Sequence, residues 1–221
     1  MNGDGSHSVK EAESTMEGSE FAAEKHRIDY TGAKMGMWIF LLTEVLFFGG
    51  LFLVYSVYRA KYSGEFHGSA AGLDRFLGTA NTVILLTSSL TMALAIPLLR
   101  AGKKHLSLLS QGATIFLGII FLANKYAEWT EHIGHGIYPD SPLMVDMSRG
   151  RIIFFSLYYV MTGLHALHVL IGVAIIAGVL FLTARGKIHR YDFIKLENTG
   201  LYWHFVDVVW IYLFPLFYLI T

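Results

Sequence analysis

The amino-acid sequence predicts an all-α fold, a polytopic membrane bundle of five transmembrane helices. Apolar residues make up 54% of the chain and charged residues only 15%, whereas roughly a quarter of the residues of a soluble domain are charged. A membrane-spanning helix needs about 20 consecutive, mostly apolar residues, and five stretches meet this need. They are Gly36–Tyr58, Phe76–Leu99, Leu106–Tyr126, Ile152–Ala184 and Leu201–Ile220.

The segment before the first stretch, residues 1–34, is polar and acidic at its start, "MNGDGSHSVKEAESTMEGSE". It has neither the basic start nor the apolar run of a secretory signal, so the first span is expected to act as its own insertion signal. Its composition predicts a cytoplasmic tail that is partly disordered. The predicted organisation is therefore a tail of residues 1–34 and a five-helix membrane domain of residues 35–221.

The later spans carry signals for helix packing. Serine, threonine, asparagine and glutamine in the second and third spans favour contact with other helices over contact with lipid alone. Small residues four apart, Ser89 with Ala93 and Ala174 with Gly178, allow close helix contact. The fourth stretch is long enough to tilt, and Pro215 is expected to kink the fifth because it removes one backbone hydrogen bond.

The distribution of lysine and arginine predicts the orientation of the chain. The loop from Arg100 to His105 holds three such cations and no acid, and the loop from Arg185 to Lys195 is also basic. Cytoplasmic loops of membrane proteins are enriched in these residues. The amino terminus is therefore predicted inside and Thr221 outside.

Several classes of function are disfavoured. The net charge is zero, so nothing points to nucleic acid as a partner. There is no cysteine, which removes disulfides, thiolate metal sites and iron–sulfur clusters. Neither a glycine-rich phosphate loop nor a His-Glu-x-x-His helix is present, and no catalytic residue is predicted.

Glu44 lies well inside the first span, in "LLTEVLFFGG". A charged acid near the bilayer centre costs about 2.5–3.5 kcal/mol on insertion scales, and burial disfavours its charged form. Two interpretations stand side by side. Glu44 is either a carboxyl that exchanges protons or contacts lipid, or a neutral acid that is hydrogen-bonded to a neighbouring helix.

Three histidines lie within the spans. His165 and His168, in "TGLHALHVLIG", are three residues apart and share a helix face. One helix cannot supply both axial ligands of a haem, and a metal site needs further ligands, so hydrogen bonding between helices is favoured over cofactor ligation. His204 and Asp207 are also three apart. They are predicted to be a buried polar pair that anchors the last helix within the bundle or to another subunit.

Outside the membrane, "EWTEHIGHG" places Glu128, His132 and His135 at four- and three-residue spacing. On one helix such a set can hold zinc. The glycines Gly134 and Gly136 indicate that the helix ends here, so a solvated helix end is favoured and no metal site is predicted.

Three stretches resemble one known family. "YWHFVDVVWIYLF", Tyr202 to Phe214, resembles the signature ending of subunit III of cytochrome c oxidase, in the haem–copper oxidase group. "WIFLLTEVLFFGG", Trp38 to Gly50, is similar to its segment with a membrane-embedded glutamate, and "TGLHALHVLIG" to its helix with paired histidines. "ANTVILLTSS" and "KYAEW" match more loosely. Together the matches run from about Met35 to the end, in the order of the family.

The resemblance implies a non-redox accessory subunit of an aerobic terminal oxidase that reduces oxygen to water and pumps protons. It implies direct contact with subunit I, further contact with subunit II and a small subunit IV, haem and copper only in those partners, and bound phospholipid. It also implies that Glu44 matches the carboxyl that hydrophobic carbodiimides modify, and that the subunit supports proton uptake and protects subunit I during turnover. Five-span members occur in bacterial oxidases, which indicates a bacterial plasma membrane.

The chain departs from many members of the family in its number of spans, and alternative functions stay open. Many members have seven spans, and their first two helices form one wall of a phospholipid cleft. Here a tail too polar to cross the membrane takes their place, so that wall would have to come from another subunit. The alternative functions are the accessory subunit of a quinol oxidase or nitric oxide reductase and, in a different class, a free-standing membrane transporter.

Overall fold

The computed structural model describes residues 5–138, 141–142 and 147–219, with side chains from residue 30 onward. Within these ranges the chain forms six helices and one isolated β-bridge, between His189 and Asp192. The helices are α1 (Gly5–Lys61), α2 (Ser63–Ala70), α3 (Arg75–Arg100), α4 (Lys104–Gly134), α5 (Arg149–Ala184) and α6 (Ile194–Tyr218).

The predicted fold class is confirmed. Five helical segments are long and apolar enough to cross a membrane, namely Tyr30–Lys61 within α1 and the whole of α3, α4, α5 and α6. The last helix begins at Ile194 rather than at Leu201, because the polar residues "LENTG" that precede the apolar stretch are also helical. The orientation of the termini stays a prediction, and Thr221 lies outside the described residues.

The chain divides into two compact units, Met1–Leu42 and Thr43–Thr221. In the first unit the backbone is helical from Gly5 onward, so α1 begins well before the predicted first span at Gly36. The assignment of residues 1–34 to a cytoplasmic tail stays a prediction. Everything described below lies in the second unit.

Four helices of the second unit pack in a ring. α3 contacts α4 and α6, and α5 contacts the same two helices. The ring is filled by side chains that are essentially inaccessible to solvent, among them Leu85, Met92, Phe121, Phe154 and Trp203. The short helix α2 packs on α5. This arrangement brings polar groups from distant parts of the sequence together inside the ring.

The indole of Trp203 is closely packed against two glycines of the ring. A Cβ added to Gly118 of α4 or to Gly172 of α5 would come within 2.9 Å of its ring atoms, so both positions require glycine. The indole Nε1 donates to the Ser88 hydroxyl of α3 at 3.1 Å. Trp203 therefore ties α6 to the three other helices of the ring.

The close helix contact that the spacing allows at Gly178 does not occur within the described part of this chain. A Cβ added there would meet nothing within 4 Å in the described structure. Four-residue spacing identifies a face of small residues, but close contact requires a bulky partner opposite that face. Trp203 supplies such a partner at Gly172 and not at Gly178.

Two glycines end helices at the same end of the ring. Gly102 after α3 and Gly186 after α5 both have φ of 75°, a left-handed conformation that glycine adopts without steric cost and that commonly ends helices. Both are followed by a lysine. The Lys104 side chain donates to the Ala184 carbonyl at 2.8 Å, so the two connecting loops are held beside each other.

Candidate functional site

Glu44 of α1 faces His168 of α5, and Nε2 of His168 lies 3.1 Å from Oε2 of Glu44. The other ring nitrogen, Nδ1, lies 2.7 Å from the Leu164 carbonyl oxygen. A carbonyl can only accept, so Nδ1 carries a hydrogen. The contact then requires one further proton between Nε2 and the carboxyl, which makes either a neutral hydrogen-bonded pair or an ion pair.

Aromatic groups surround this pair. The Phe48 ring meets the His168 imidazole edge-on, with centroids 5.2 Å apart, and the Tyr202 hydroxyl donates to the His168 carbonyl at 3.1 Å. The side chains of Glu44 and His168 are 17% and 14% exposed. A hydrogen bond between helices, one of the two interpretations of Glu44, is therefore present. The expected hydrogen bond of His168 is confirmed by the same contact.

His165 is different from its neighbour on the same helix. Its ring is fully buried, and neither nitrogen makes a hydrogen bond to any residue that the structure describes. It lies between Phe121 and Trp210, with ring centroids 5.5 and 5.2 Å away. The predicted hydrogen bonding of His165 is therefore wrong. An offset of three residues turns the two side chains by about 60°, which is enough to direct one into the ring and the other toward α1.

His204 binds Ser89 and not Asp207. Its Nδ1 lies 2.6 Å from the Ser89 hydroxyl oxygen, which links α6 to α3. His204 is expected from the sequence to anchor the last helix either within the bundle or to another subunit, and its contact with Ser89 lies within the bundle. No direct bond joins His204 to Asp207, so the predicted pair is wrong. Asp207 is 3% exposed, and the Ser89 side chain faces it. The carboxyl oxygens of Asp207 make no regular hydrogen bond to described residues.

A second polar cluster, which we call the lysine cluster, joins Lys125 and Glu128 of α4 to Tyr158 of α5 and Tyr218 of α6. Lys125 Nζ lies 2.9 Å from Glu128 Oε2 and donates to the two tyrosine hydroxyls at 3.0 and 2.9 Å. Those hydroxyls in turn donate to Glu128 Oε1, at 2.6 Å from Tyr158 and 2.5 Å from Tyr218. Lys125 and Glu128 are 1% and 3% exposed. All three ammonium hydrogens have acceptors, as a buried charge requires.

The predicted solvated helix end is therefore wrong for Glu128. The reason is that α5 and α6 extend far enough to cover this part of α4. The sequence contains an indication of this buried pair, since Lys125 lies in an otherwise apolar stretch and Glu128 is one helical turn away. His132 is half-buried with its ring against Tyr158, and His135 is exposed. No three histidine, cysteine, aspartate or glutamate side chains of the described residues are grouped to hold a metal ion.

The fold and these clusters define a multi-span, all-α membrane protein whose buried polar groups link its helices. The family model "Cytochrome c oxidase subunit III" matches residues 10–221. The chain belongs to this family, the subunit III of haem–copper oxidases.

Relatives extend the comparison. The chain is 31% identical over 188 residues to the "Cytochrome c oxidase subunit 3" of Thermostichus vulcanus, covering 85% of this chain and 87% of that protein. It is 30% identical over 189 residues to the "Probable quinol oxidase subunit 3" of Staphylococcus haemolyticus, covering 85% and 88%. It is also 32% identical over 193 residues to the "Heme-copper oxidase subunit I+III" of Aeropyrum pernix, covering 85% of this chain and 22% of that protein.

Proposed function

We propose that this chain is the non-redox accessory subunit of an aerobic haem–copper terminal oxidase, which reduces oxygen to water and pumps protons. The family match over residues 10–221 carries the proposal. Haem and copper reside in partner subunits, and this chain supports proton uptake by subunit I and its lifetime during turnover. The membrane is a bacterial plasma membrane.

Direct contact with subunit I is part of the proposal. The relative from Aeropyrum pernix is named as a subunit I and a subunit III in one chain, and such a fusion requires the two parts to be neighbours. The five spans of this chain correspond to the subunit III part. Subunit II and a small subunit IV complete the proposed assembly.

The electron donor of the complex is proposed to be cytochrome c. The segment around Glu44, "TEVLFF", resembles that branch of the family. A quinol donor is the second candidate, and similarity to the quinol oxidase subunit of Staphylococcus haemolyticus favours it.

The contact between Glu44 and His168 supports a role in handling protons. One proton must lie between the carboxyl and Nε2, and both side chains are partly exposed at the surface of this chain. The pair can therefore pass a proton to or from a group outside the chain. Such an exchange changes no oxidation state.

The geometry of the histidines supports the absence of a redox centre in this chain. Nδ1 of His168 is engaged by a carbonyl and its Nε2 by Glu44, while His204 is bonded to Ser89. His165 faces Phe121 and Trp210 instead of a second imidazole. No pair of these three rings is arranged as opposed axial ligands.

Purification through an affinity tag on this chain tests the proposal. We expect a haem-bearing chain to co-purify, with the optical signature of a dicopper centre if cytochrome c is the donor and without it if quinol is. The chain separated from that complex is expected to show no Soret band. A Soret band that follows the separated chain and disappears in His165→Ala would contradict the non-redox role. A chain that purifies alone and moves ions in liposomes would favour the transporter.

A further inference from the structure

A line of tyrosine and tryptophan rings connects the lysine cluster to the surface between α4 and α5. The ring centroids of Tyr218 and Tyr158 are 6.4 Å apart, and those of Tyr158 and Tyr159 are 5.4 Å apart. The Tyr159 ring lies 6.3 Å from the Trp129 indole. Tyrosine and tryptophan are the aromatic side chains that lose an electron most readily, and rings this close exchange electrons directly. The line can therefore carry an oxidising equivalent between the surface and the buried cluster.

Trp129 is the accessible end of this line. It is half-buried and lines a groove of about 410 Å3 between α4 and α5. The exposed ring of Tyr126 and the small residues Gly163 and Ala166 line the same groove, which leaves room for a small molecule beside the indole. The two tyrosines of the lysine cluster are completely covered. An oxidant outside the chain thus meets the indole first.

Neither of the two outer rings has a base for its proton. The Nε1 atom of Trp129 is buried and bonds no residue that the structure describes. The Tyr159 hydroxyl donates to the Ile137 carbonyl oxygen at 2.6 Å, and a backbone carbonyl accepts a hydrogen bond but does not take up the proton. Loss of an electron from either ring therefore leaves a cation radical, which is refilled by an electron from the next ring inward.

The two inner tyrosines do have a base. Both hydroxyls donate to Glu128 Oε1, at 2.6 Å from Tyr158 and 2.5 Å from Tyr218, and a carboxylate at this distance can take a phenolic proton. A tyrosine that loses its electron and its proton together becomes a neutral radical. The two hydroxyl oxygens are 3.3 Å apart, so both rings are served by the same carboxylate. An oxidising equivalent therefore comes to rest in the lysine cluster.

The charge of Lys125 strengthens this selection. Its ammonium group lies 5.8 Å from the ring centroid of Trp129 and 5.5 Å from that of Trp210, and a cation at such a distance is attracted by the electrons of the ring. It therefore disfavours a cation radical on either indole. A neutral tyrosyl radical is not repelled in this way, and the oxygen of Tyr158 keeps its hydrogen bond from Lys125 at 3.0 Å.

We propose that Tyr158 and Tyr218 are a redox-active pair that traps oxidising equivalents entering at Trp129. An oxygen-centred radical takes one electron from the indole and becomes an anion. The indole takes one electron from Tyr158 through the Tyr159 ring, and the Tyr158 hydroxyl proton moves to Glu128 Oε1. The products are the reduced oxidant, a neutral tyrosyl radical and a protonated carboxyl. A membrane quinol then returns one electron through the same line, and Glu128 returns the proton to the phenol oxygen.

Such a trap gives a physical reason for a longer lifetime of the complex during turnover. It rests on the proposed function only for the source of the oxidant, since an oxygen-reducing site can release partly reduced oxygen. The groups that are oxidised are side chains and not haem or copper. The chain therefore stays outside the electron transfer that reduces oxygen.

The test uses the full chain in detergent, oxidised by a photo-oxidised ruthenium tris-bipyridine complex and frozen for electron paramagnetic resonance. We expect a radical signal that narrows when tyrosine is deuterated on its ring and not when tryptophan is. Tyr159→Phe interrupts the line without removing a hydrogen bond of the lysine cluster, and it should lose most of that signal. Tyr126→Phe, which changes an exposed tyrosine of the same groove, is the matched control and should keep it.

A signal that narrows with deuterated tryptophan in the unaltered chain would overturn the proposal, as would equal losses in Tyr159→Phe and Tyr126→Phe. If Tyr159→Phe does not fold, Trp129→Phe removes the entrance to the line and should lose the signal in the same way. This measurement involves no haem, so its result does not depend on whether the chain is an oxidase subunit.

The protective role is tested separately in the assembled complex. Tyr159→Phe should leave the initial rate of oxygen consumption unchanged and shorten the lifetime under sustained turnover, whereas Tyr126→Phe should change neither. Equal lifetimes of the two variants would show that the tyrosine pair does not protect the complex.

Discussion

The ammonium group of Lys125 lies 2.9 Å from the Glu128 carboxylate, and both side chains are almost completely buried. The tyrosine hydroxyls of Tyr158 and Tyr218 complete the contacts of both charges. A buried ion pair gives little net stability over an apolar pair of the same size, but removing one member leaves an uncompensated charge. Removing only Lys125 or only Glu128 is therefore expected to cost more stability than replacing both.

Glu128→Leu is expected to destabilise the subunit by about 3–5 kcal/mol, because Lys125 loses its buried counter-charge. The double variant Lys125→Met with Glu128→Leu should recover most of this loss, since Tyr158 and Tyr218, whose hydroxyl oxygens are 3.3 Å apart, can still bond each other. The measurement is the temperature at which the subunit leaves the complex in detergent. Glu131→Gln, an exposed acid on the same helix, is the control. A double variant as unstable as the single one would argue against the charge explanation.

Glu44→Gln should abolish labelling of this chain by a hydrophobic carbodiimide, because glutamine has no carboxyl to react. The amide can still donate to His168, so the complex should assemble. Oxygen reduction is expected to continue, since no redox centre is lost, while proton pumping or the lifetime under sustained turnover should fall. Proton pumping is measured on the complex reconstituted in vesicles. The lifetime under turnover is measured from progress curves of oxygen consumption. Loss of oxygen reduction from the first turnover in the assembled complex would place Glu44 on an essential catalytic path instead.

Ser89→Ala should weaken retention of the subunit by about 1–3 kcal/mol, because it leaves Nδ1 of His204 without its acceptor or donor. Asp207→Leu is expected to cost less than Ser89→Ala. The reason is that the Asp207 oxygens make no regular hydrogen bond to described residues, and replacing such a group by an apolar one of similar size can be nearly neutral. The measurement is the temperature at which each variant subunit leaves the complex in detergent, and we expect the lower temperature for Ser89→Ala. A larger loss in Asp207→Leu would mean that the buried carboxyl is bonded inside the bundle, where Ser89 faces it.

Gly172→Ala should destabilise the ring by about 1–3 kcal/mol through overpacking, since its Cβ would lie 2.9 Å from the Trp203 indole. Gly178→Ala, six residues further along α5, meets nothing within 4 Å. Alanine is the better helix former by about 1 kcal/mol, so this control should be neutral or stabilising. Thermal dissociation of the two variants gives the comparison. Equal stability would mean that the indole can move aside.

The predicted orientation can be measured with single introduced cysteines, because the chain has none of its own. Ser107 and Ser141 are completely buried and would label poorly on either side of the membrane. Lys187→Cys and His135→Cys are at exposed positions. With the amino terminus inside, an impermeant reagent added outside should label position 135 and spare position 187. The reverse pattern would invert the topology.

The number, order and approximate length of the membrane helices could be predicted from the chain because they depend on local composition. A segment of about 20 apolar residues must satisfy its own backbone hydrogen bonds in lipid, which leaves helix as the only structure open to it. The family was also recognisable, since "YWHFVDVVWIYLF" and the segment around Glu44 are continuous stretches. Burial of Glu44, His168 and His204 inside or against the bundle follows from the same composition.

The partners of those groups depended on how the helices pack. His168 meets Glu44 across 124 residues and His204 meets Ser89 across 115, and no local rule relates such positions. Spacing alone favoured pairing of His204 with Asp207, but residues three apart diverge by about 60° around a helix, and the neighbouring helices decide what each one faces. For the same reason Glu128 lies in a buried cluster and not at a solvated end, since Tyr158 and Tyr218 reach it from two other helices.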